Sequence, residues 1–517
     1  MTQVREEIKK LVEKAVKDLY RKEVAVEVER PQKTAYGDYA TNIAMILKKN
    51  PQEIAGVIQC PILEKVEVEN GFINFFLSKE YLQKEAGEIL KRKEKFGQLK
   101  IGKGQKTQVE FISANPTGEL HLGHGRGAFF GDTISNVLEK SGCKITREYY
   151  INDAKNSAQI KELGKTALGK GVTYLTEKLK TQIAKLKTTT QISELNEGEA
   201  GYQSAQIIQK DIKDFIEKKI RIKFDKWVSE EELYKKSKVE KIYNWLKKQN
   251  LIYKKEGAEW LKTSSFGDKQ DWVIIRETGE PTYLLSDIAY HKDKFDRGFQ
   301  KIINIWGADH QGHVGKIKAV AKILNYKGDL DILISQVVRL KKGKISKRKG
   351  EVVTLEWLID EVGLDAARFF YLMKSLDTQM EFDVELAKEK SEKSPVYYVQ
   401  YAHARICSII KKASSKNYRN RIPIDYSLLK HPTELELIKQ LVRFPEIVED
   451  TAKDYQVQRI PQYALDLATV FHQFYRDCRV VSEDKELTQA RLGLILATKT
   501  ALKNTLGLMG ISAPEKM

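Results

Sequence analysis

Residues 109–127, VEFISANPTGELHLGHGRG, form the stretch of sequence that decides the fold. Residues 109–114 are an apolar run of strand length, residues 115–118 (NPTG) are a turn, and the following residues open an amphipathic helix that stops at residues 141–142 (SG). A strand that turns directly into a helix is the repeating unit of a parallel α/β sheet. Because such sheets bind ligands at the carboxyl ends of their strands, this turn predicts a binding site.

Two of the eight histidines in the chain, His121 and His124, lie in this turn. A helix N-terminus offers free N–H groups and a positive dipole end to a phosphate, and imidazoles there donate further hydrogen bonds. A metal pair and a purely capping or packing role are the alternatives, but further metal ligands and an HExxH motif are missing. The spacing fits neither GxGxxG nor the P-loop, so we predict a phosphate site of another kind.

A second candidate anion-binding segment is RLKKGKISKRKG at residues 339–350. Six of residues 341–349 are basic. Gly343 lies within this group, and Gly350 follows it. Clustered like charges repel one another, so such a loop favours an anionic partner. A solvated basic loop is the alternative when the segment is judged alone.

Residues 114–124, ANPTGELHLGH, resemble the "HIGH" signature of class I aminoacyl-tRNA synthetases in the form typical of arginyl-tRNA synthetases. Residues 344–348, KISKR, resemble the "KMSKS" loop of the same family and follow in the same order. The segments at 36–55 and 70–76 resemble the N-terminal domain of that family, those at 262–291 and 305–313 its catalytic core, and residues from 397 onwards its anticodon-binding domain. The resemblance therefore covers essentially the whole chain.

The resemblance implies a two-step arginine--tRNA ligase. Arginine and ATP, the latter as its Mg²⁺ complex, form arginyl-adenylate and pyrophosphate, and the arginyl group then passes to the 3′ end of tRNA(Arg) with release of AMP. The substrate carboxylate is the nucleophile, so catalysis consists mostly of positioning and charge stabilisation. The implied catalytic residues are His121, His124, Lys344 and Lys347.

The resemblance also implies an ATP site, in which Gly123 leaves room for the adenosine. Its residues are Gly118, His121, Gly123, His124, Gly307, Asp309, His310, Ser346 and Lys347. Many arginyl enzymes have a degenerate second motif, whereas Lys347 is present here in register. We therefore expect Lys347 itself to steady the pyrophosphate, and the need for bound tRNA during arginine activation stays open.

Arginine specificity needs its own physical basis. A guanidinium is planar and always charged, so its pocket should contain carboxylates placed for paired hydrogen bonds. Glu110 and Asp287 are the acidic candidates, and we expect both at strand ends that face the cleft. Core packing for Tyr283 and helix capping for Asp287 are the alternatives. The arginine-binding residues that the resemblance implies are Glu110, Ser113, Asn115, Tyr283, Asp287 and Gln311.

Composition agrees with a multidomain globular protein that binds a polyanion. A chain of 517 residues suggests about three domains. The formal net charge of +18 favours tRNA as a partner, although a lysine-rich proteome is an alternative explanation. The four cysteines are scattered without zinc-ligand spacing, so we expect neither protein-bound zinc nor another resident metal.

The N-terminus is charged and the chain lacks an apolar run of membrane-spanning length. We therefore predict a cytoplasmic protein with no membrane partner. The expected partners are tRNA(Arg), L-arginine and ATP, and we expect a monomer.

We predict three domains. Residues 1–100 form an α+β tRNA-contacting domain with a helix at 4–20 and a strand at 24–30. Residues 105–390 form a Rossmann-like catalytic domain with a parallel sheet and a helical insertion at about 165–255. The α/β pattern resumes with a strand at 271–277. Residues 391–517 form an all-α anticodon-binding domain.

Two other functions stay open at this point. One is a class I synthetase for another amino acid, such as lysine or cysteine, of which cysteine is disfavoured by the missing zinc ligands. The other is a catalytically inactive paralogue that only binds RNA. The intact His121, His124 and Lys347 speak against this second alternative.

Overall fold

The computed structural model describes residues 4–189, 192–341, 353–415 and 424–517. The N-terminal part is an α+β unit whose three strands form an antiparallel sheet in the order β1-β3-β2. Its elements are α1 (Val4–Tyr20), β1 (Tyr39–Thr41), α2 (Ile43–Leu47), α3 (Pro51–Gly56), β2 (Leu63–Glu69), β3 (Phe72–Leu77) and α4 (Lys79–Arg92).

The helix predicted at residues 4–20 is confirmed, and it buries the apolar side chains of Ile8, Val12 and Val16. The strand predicted at residues 24–30 is wrong. Only Glu29 pairs there, in a single bridge to Ala40. Alternating valines indicate an extended backbone, but a strand also needs a ladder partner, and β1 is only three residues long.

A five-stranded parallel sheet in the order β11-β10-β4-β5-β6 forms the centre of the molecule. Its strands are β4 (Lys106–Glu110), β5 (Lys144–Ile151), β6 (Lys226–Ser229), β10 (Lys301–Gly307) and β11 (Asp329–Ser335). The chain builds the sheet outward from β4 in one direction and from β10 in the other. The strand order therefore reverses between β4 and β10, and the crevice at their carboxyl ends is the expected ligand site of such a sheet.

Helices and a small second sheet connect β5 to β10. They are α6 (Ala158–Ala167), α7 (Glu177–Thr189), α8 (Glu197–Asp214), α9 (Glu230–Lys235), α10 (Lys238–Lys248), β7 (Ile252–Lys255), β8 (Ala258–Leu261), β9 (Trp272–Ile275) and α11 (Tyr283–Asp296). Two sequence predictions are wrong here. The stretch predicted as helical contains β6, an edge strand of the parallel sheet, and β9 pairs with β8 in an antiparallel sheet instead of continuing the parallel one.

In the described residues after β10 the chain is helical except for three strands, of which β11 is given above. The remaining elements are α12 (Val314–Ile323), β12 (Val338–Leu340), α13 (Leu355–Val362), α14 (Leu364–Leu372), β13 (Met380–Phe382), α15 (Val384–Lys388), α16 (Pro395–Ser415), α17 (Pro432–Val442), α18 (Phe444–Asp454), α19 (Arg459–Asp477) and α20 (Lys485–Leu508). Beyond residue 391 the described residues contain helices and no strand, which confirms the all-α prediction. No helix in the described ranges has both the length and the apolar character that crossing a membrane requires.

Helix α5 (Leu122–Lys140) follows β4 and is buried along most of its length. The apolar residues that predicted this helix, from Leu122 to Leu138, are all buried. Asp132 of α5 pairs with the buried Arg368 at 2.6 Å, and Arg368 also donates to the carbonyl oxygens of Met509 and Ile220. One guanidinium therefore joins α5 to the end of α20 and to the segment before β6.

Ion pairs attach the N-terminal unit to the C-terminal helices. Arg30 and the buried Tyr39 both donate to the carboxylate of Glu446 on α18, at 2.9 and 2.6 Å. Arg5 pairs with the next two acidic residues of α18, Glu449 and Asp450. Because Glu446 is nearly inaccessible to solvent, its charge depends on these donors.

Replacing Glu446 by alanine removes the acceptor that Arg30 and Tyr39 share. We expect a loss of about 3 kcal/mol, the order found when one partner of a buried ion pair is deleted. The midpoint of urea or thermal unfolding measures this loss. Glu483→Ala, at an exposed position in the same half of the chain, should change stability by less than about 0.5 kcal/mol, and equal shifts for both variants would contradict the assignment.

Candidate active site

The candidate site lies at the carboxyl ends of β4 and β10, where the strand order reverses. The turn to α5 follows β4, and a short 3-10 helix at Ala308–His313 follows β10. These two segments approach each other, since the charge of Asp309 acts on the imidazole of His121. The fold thus brings together two motifs that are separated by about 190 residues in the sequence.

The chain leaves β4 through a strained turn. The strand ends at Glu110, earlier than the apolar run predicted, and Ile112 and Ser113 have positive φ values of 67° and 40°. A β-branched residue rarely adopts this conformation, so the surroundings must stabilise it. The Ser113 hydroxyl donates to Glu110 (3.0 Å) and accepts from the backbone N–H of Tyr150 (3.1 Å). These bonds direct the chain out of the sheet toward His121.

His121 and His124 cap the N-terminus of α5 through their Nδ1 atoms. Nδ1 of His121 accepts from the backbone N–H of Gly123 (3.0 Å), and Nδ1 of His124 accepts from the backbone N–H of His121 (3.1 Å). Because both Nδ1 atoms accept, each neutral ring carries its proton on Nε2. The capping role, which the sequence left as an alternative, is therefore filled by the Nδ1 atoms. The Nε2–H groups of both rings remain available to donate hydrogen bonds to a ligand.

Both histidines are neutral at pH 7. Burial lowers the pKa of His121. Burial, and to a smaller extent the repulsion that a protonated His121 would exert, lowers the pKa of His124 to about 3. The two rings lie 3.8 Å apart between centroids. A Cβ atom on Gly123 would lie 2.8 Å from Cε1 of His121, so the glycine is required by the His121 ring. The first turn of α5 thus presents uncharged donors and a helix dipole to the cleft.

The predicted Lys344, Ser346 and Lys347 lie outside the described residues. The residues that follow this segment pair with the first motif, because the N–H of Leu122 donates to Val353 (3.2 Å) and that of Leu355 to Leu120 (2.8 Å). Residues before the segment form β12, which pairs with β13. Both flanks of residues 342–352 are therefore anchored close to α5.

Arg126 connects α5 to β13, the strand that pairs with β12 on the N-terminal side of residues 342–352. This buried residue of α5 donates to the carbonyl oxygens of Ser375 and Thr378 and lies 3.0 Å from the sulfur of Met380, the first residue of β13. Sequence reasoning missed Arg126, although an arginine on an otherwise apolar helix face is a usable signal for a buried contact.

Asp287 and Tyr283 both lie on helix α11, so the prediction that Asp287 sits at a strand end is wrong. The prediction is correct for Glu110, the last residue of β4. The residues around Tyr283 have too little β-branched character for a strand, and the N-terminus of α11 faces the cleft instead. Tyr283 is the first residue of α11 and Asp287 lies one turn further along, so both side chains can reach the place that a strand end would.

Glu110 already has a buried cation. Lys294 of α11 is fully buried and pairs with the Glu110 carboxylate, which also accepts from Tyr290 (3.3 Å). The neighbouring Glu148 of β5 is paired in the same way with Arg297. Sequence reasoning missed this network, although Asp287, Tyr290, Lys294 and Arg297 recur at the spacing of one helix face.

Asp287 has no such partner. Within the described ranges no hydrogen-bond donor or cation contacts its carboxylate, whereas Glu230 of α9 accepts from the Ser286 hydroxyl at 2.6 Å and likewise lacks a cation. Burial, reinforced by neighbouring carboxylates, raises the pKa of Asp287 to about 8 and that of Glu230 to about 7. The buried hydroxyl of Tyr150 lies near both and has no partner in the described chain. Two carboxylates without cations form a site for a cationic group.

The remaining predicted residues line the cleft and are more exposed to solvent. Tyr283 is 52% exposed, and its hydroxyl lies 3.3 Å from Nε2 of His313. Asn115 is half-buried, and its side-chain amide has no partner among the residues described. Gly118 faces open space. Exposed residues after β10 are Gly307, Asp309, His310 and Gln311. In the described part of the chain, no three His, Cys, Asp or Glu side chains are grouped closely enough to hold a metal ion.

Three family models match consecutive parts of this chain. The arginyl tRNA synthetase N-terminal domain matches residues 4–77, the catalytic domain of class I tRNA synthetases (R) matches residues 85–410, and the DALR anticodon binding domain matches residues 399–517. The arginine--tRNA ligase of Bacillus subtilis is 40% identical over 99% of this chain and 98% of its own length.

Solved structures give the same result for the fold. A putative arginyl-tRNA synthetase from Campylobacter jejuni is 35% identical, with a TM-score of 0.75 over 85% of this chain and 100% of its own. The Thermus thermophilus arginyl-tRNA synthetase is 22% identical, with a TM-score of 0.81 over 99% of this chain and 100% of its own, and at that identity it supports the fold alone.

The lowered pKa of His124 has a measurable consequence. We expect His124 to stay neutral, protonated on Nε2, down to about pH 3, whereas an unperturbed histidine becomes charged below about pH 6.5. Its burial in the neutral form therefore destabilises the fold progressively as the pH falls below about 6.5. ¹⁵N NMR of histidine-labelled protein distinguishes the two tautomers and the charged form. A His124 ring that becomes charged near about pH 6.5 would contradict the assignment.

Proposed function

The chain belongs to the arginyl-tRNA synthetase family, and we propose from its geometry which residues perform the arginine--tRNA ligase reaction. The enzyme activates L-arginine with ATP and transfers it to the 3′ end of tRNA(Arg). The observation that carries the proposal is a pair of carboxylates, the half-buried Asp287 and the buried Glu230, which no cation among the described residues contacts and which lie in the same cleft as the neutral histidines. Such a pair suits a guanidinium, and such histidines suit a phosphate.

We assign the guanidinium to Asp287 and Glu230. A guanidinium has five N–H donors in one plane, so it can donate to two carboxylates together. A lysine ammonium is a compact point charge and matches this arrangement less well. Tyr283, four residues before Asp287 on α11, covers the pocket from the cleft side. Binding supplies the positive charge that both carboxylates lack.

The α-amino end of arginine is assigned to Glu110, Ser113 and Asn115. Glu110 already pairs with the buried Lys294 in the absence of substrate. The Ser113 hydroxyl already has both of its partners, and its role is to hold the turn. The Asn115 amide lies next to that turn and has no partner among the described residues. Gln311 lies in the short 3-10 helix that follows β10 and is assigned to the mouth of the pocket.

ATP is assigned to the first turn of α5 and the end of β10. The Nε2–H groups of His121 and His124 donate to phosphate oxygens. Gly118 leaves room for the nucleotide, and Gly123 is assigned to the same site because it allows the His121 ring its position. Gly307, Asp309 and His310 contact the nucleoside. Lys344, Ser346 and Lys347 act on the phosphates from the segment whose flanks are anchored to α5. Mg²⁺ enters with ATP as part of the substrate.

In the first step the arginine carboxylate attacks the α-phosphorus and pyrophosphate leaves. Negative charge develops on the leaving pyrophosphate, and lysine side chains and fixed N–H donors stabilise it. No side chain of the protein acts as a covalent nucleophile. The protein contributes orientation and fixed charge, which agrees with a site built from anchored backbone and buried ion pairs.

The domain ranges proposed for this reaction are 1–100 for tRNA contact, 105–390 for catalysis and 391–517 for the anticodon. The net charge of +18 supports tRNA binding through release of counterions. We propose that the enzyme acts in the cytoplasm as a monomer.

The proposed function is tested by ATP–pyrophosphate exchange with each of the twenty amino acids, with and without tRNA, followed by aminoacylation. Arginine alone should support exchange. Lys347→Ala should lower arginine-dependent exchange by at least about 100-fold, because a donor to the developing charge is lost, while tRNA binding persists. The exposed Lys318→Met is the control. Exchange with another amino acid, or unchanged exchange in the Lys347 variant, would contradict the respective assignment.

Arginine binding should depend on pH through Asp287. Its pKa of about 8 means that the free enzyme holds this carboxyl mostly protonated at pH 7. A bound guanidinium favours the ionised form, so binding releases a proton and the affinity for arginine rises with pH until about pH 8. Calorimetry in two buffers with different ionisation enthalpies measures the proton release.

Asp287→Asn is the matched variant. It keeps the shape of the side chain but cannot ionise, so it should weaken arginine binding by about 2–5 kcal/mol and reduce the proton release to the smaller share of Glu230. An unchanged affinity or an unchanged proton release would show that Asp287 does not bind the guanidinium.

A further inference from the structure

Lys316 of α12 is a buried lysine without a carboxylate partner. Only 5% of its surface is exposed, and no acidic side chain of the described residues lies within 4.0 Å of its ammonium. Lysines are almost never fully buried without a counter-charge, so its position needs an explanation. Burial lowers the pKa of Lys316, and the more distant charges of Asp268 and Asp287 act in the opposite direction.

The ammonium of Lys316 lies on an aromatic face. It is 3.4 Å from the ring centroid of Trp272, the first residue of β9. The indole N–H of Trp272 donates to the carboxylate of Asp268 at 2.8 Å, which fixes the plane of the ring. A cation held over an indole in this way replaces part of its lost hydration.

The same ammonium contacts Tyr283. Its Nζ lies 3.4 Å from the Tyr283 hydroxyl, which is also 3.3 Å from Nε2 of His313. Tyr283 is 52% exposed, so little packing restrains its ring. Lys316 and His313 are therefore the groups that determine where the Tyr283 hydroxyl lies.

We propose that Lys316 is a positioning residue for arginine recognition. Its ammonium, held on the face of the Trp272 ring, keeps the Tyr283 ring at the mouth of the guanidinium pocket. This inference rests on the proposed assignment of Asp287 and Tyr283 to arginine. Lys316 does not contact the reacting atoms. It orders an exposed aromatic side chain before the substrate arrives, which lowers the entropy lost on binding.

Lys316→Met tests the role, because methionine keeps the length of the side chain and removes the ammonium. In the exchange assay with tRNA present, the KM for arginine should rise about 5- to 10-fold, while kcat and the KM for ATP change less than about 2-fold. Lys316→Arg keeps a cation over Trp272 and should stay within about 3-fold of the natural enzyme for arginine. Lys318→Met, an exposed lysine on the same helix, should change nothing.

A double-mutant cycle with Tyr283→Phe separates positioning from general destabilisation. If Lys316 acts through the Tyr283 hydroxyl, the double variant is no worse than the poorer single variant. Additive effects, or equal changes in the parameters for arginine and ATP, would overturn the proposal. Lys316→Gln replaces the methionine variant in the cycle if the thermal midpoint shows that Lys316→Met is not folded.

The Asp287→Asn variant distinguishes this proposal from the proposed function. If Asp287→Asn leaves the KM for arginine unchanged, the pocket itself is misassigned and the role of Lys316 falls with it. If Asp287→Asn raises that KM while Lys316→Met does not, the pocket stands and only the positioning role is rejected.

Discussion

The burial of helix α5, with its first turn open to the cleft, is the constraint on which the rest of the structure depends. Its sides pack against the sheet and the C-terminal helices, and its N-terminal backbone pairs with residues 353–355. The histidines at that end cap the helix with one nitrogen and present the other. Because Arg126 and Asp132 tie the same helix to β13 and to Arg368, the catalytic sheet, the flanks of the second motif and the C-terminal domain share one rigid element.

The carboxylates of this region fall into two groups. One group is paired with cations of the protein, and the other is proposed to bind substrate. Glu110 ends β4 and Glu148 lies within the neighbouring β5, and each pairs with a cation from α11 or the residue that follows it, so their charges are balanced without substrate. Asp287 and Glu230 lie in the same region, have raised pKa values, and contact no cation in the part of the chain that the structure describes. A buried carboxylate without a partner lowers stability, and a protein retains one where a ligand compensates for it. The cost of keeping Asp287 is therefore consistent with the proposed binding of a guanidinium.

Much of the site was predictable because its motifs are local. The strand, turn and helix around His121 and His124 follow from apolar periodicity and turn residues, and the structure confirms the order of these elements. Predictions failed where pairing decides the structure. The valines at 24–30 lack a ladder partner, β6 is a short strand inside a helical stretch, and β9 pairs with its own hairpin. Glu230 was missed because a single acidic residue in a charged chain carries no signal until its neighbours in space are known. Lys294 and Arg126 had a signal in their helix spacing, but that signal names no partner.

By itself, the sequence determined the class of the protein. Glycine and histidine spacing, helix periodicity and strand length depend on residues close together in the chain, so they indicate the two signature motifs, the parallel sheet and the helical C-terminus. Only the tertiary structure decided which carboxylates have cations. In the described residues Lys294 pairs with Glu110, whereas no cation contacts Asp287. Lys316 lies over the Trp272 ring beside Tyr283. The physical reason is that charge balance and burial depend on distances between residues far apart in the sequence, and these distances exist only after the elements have packed.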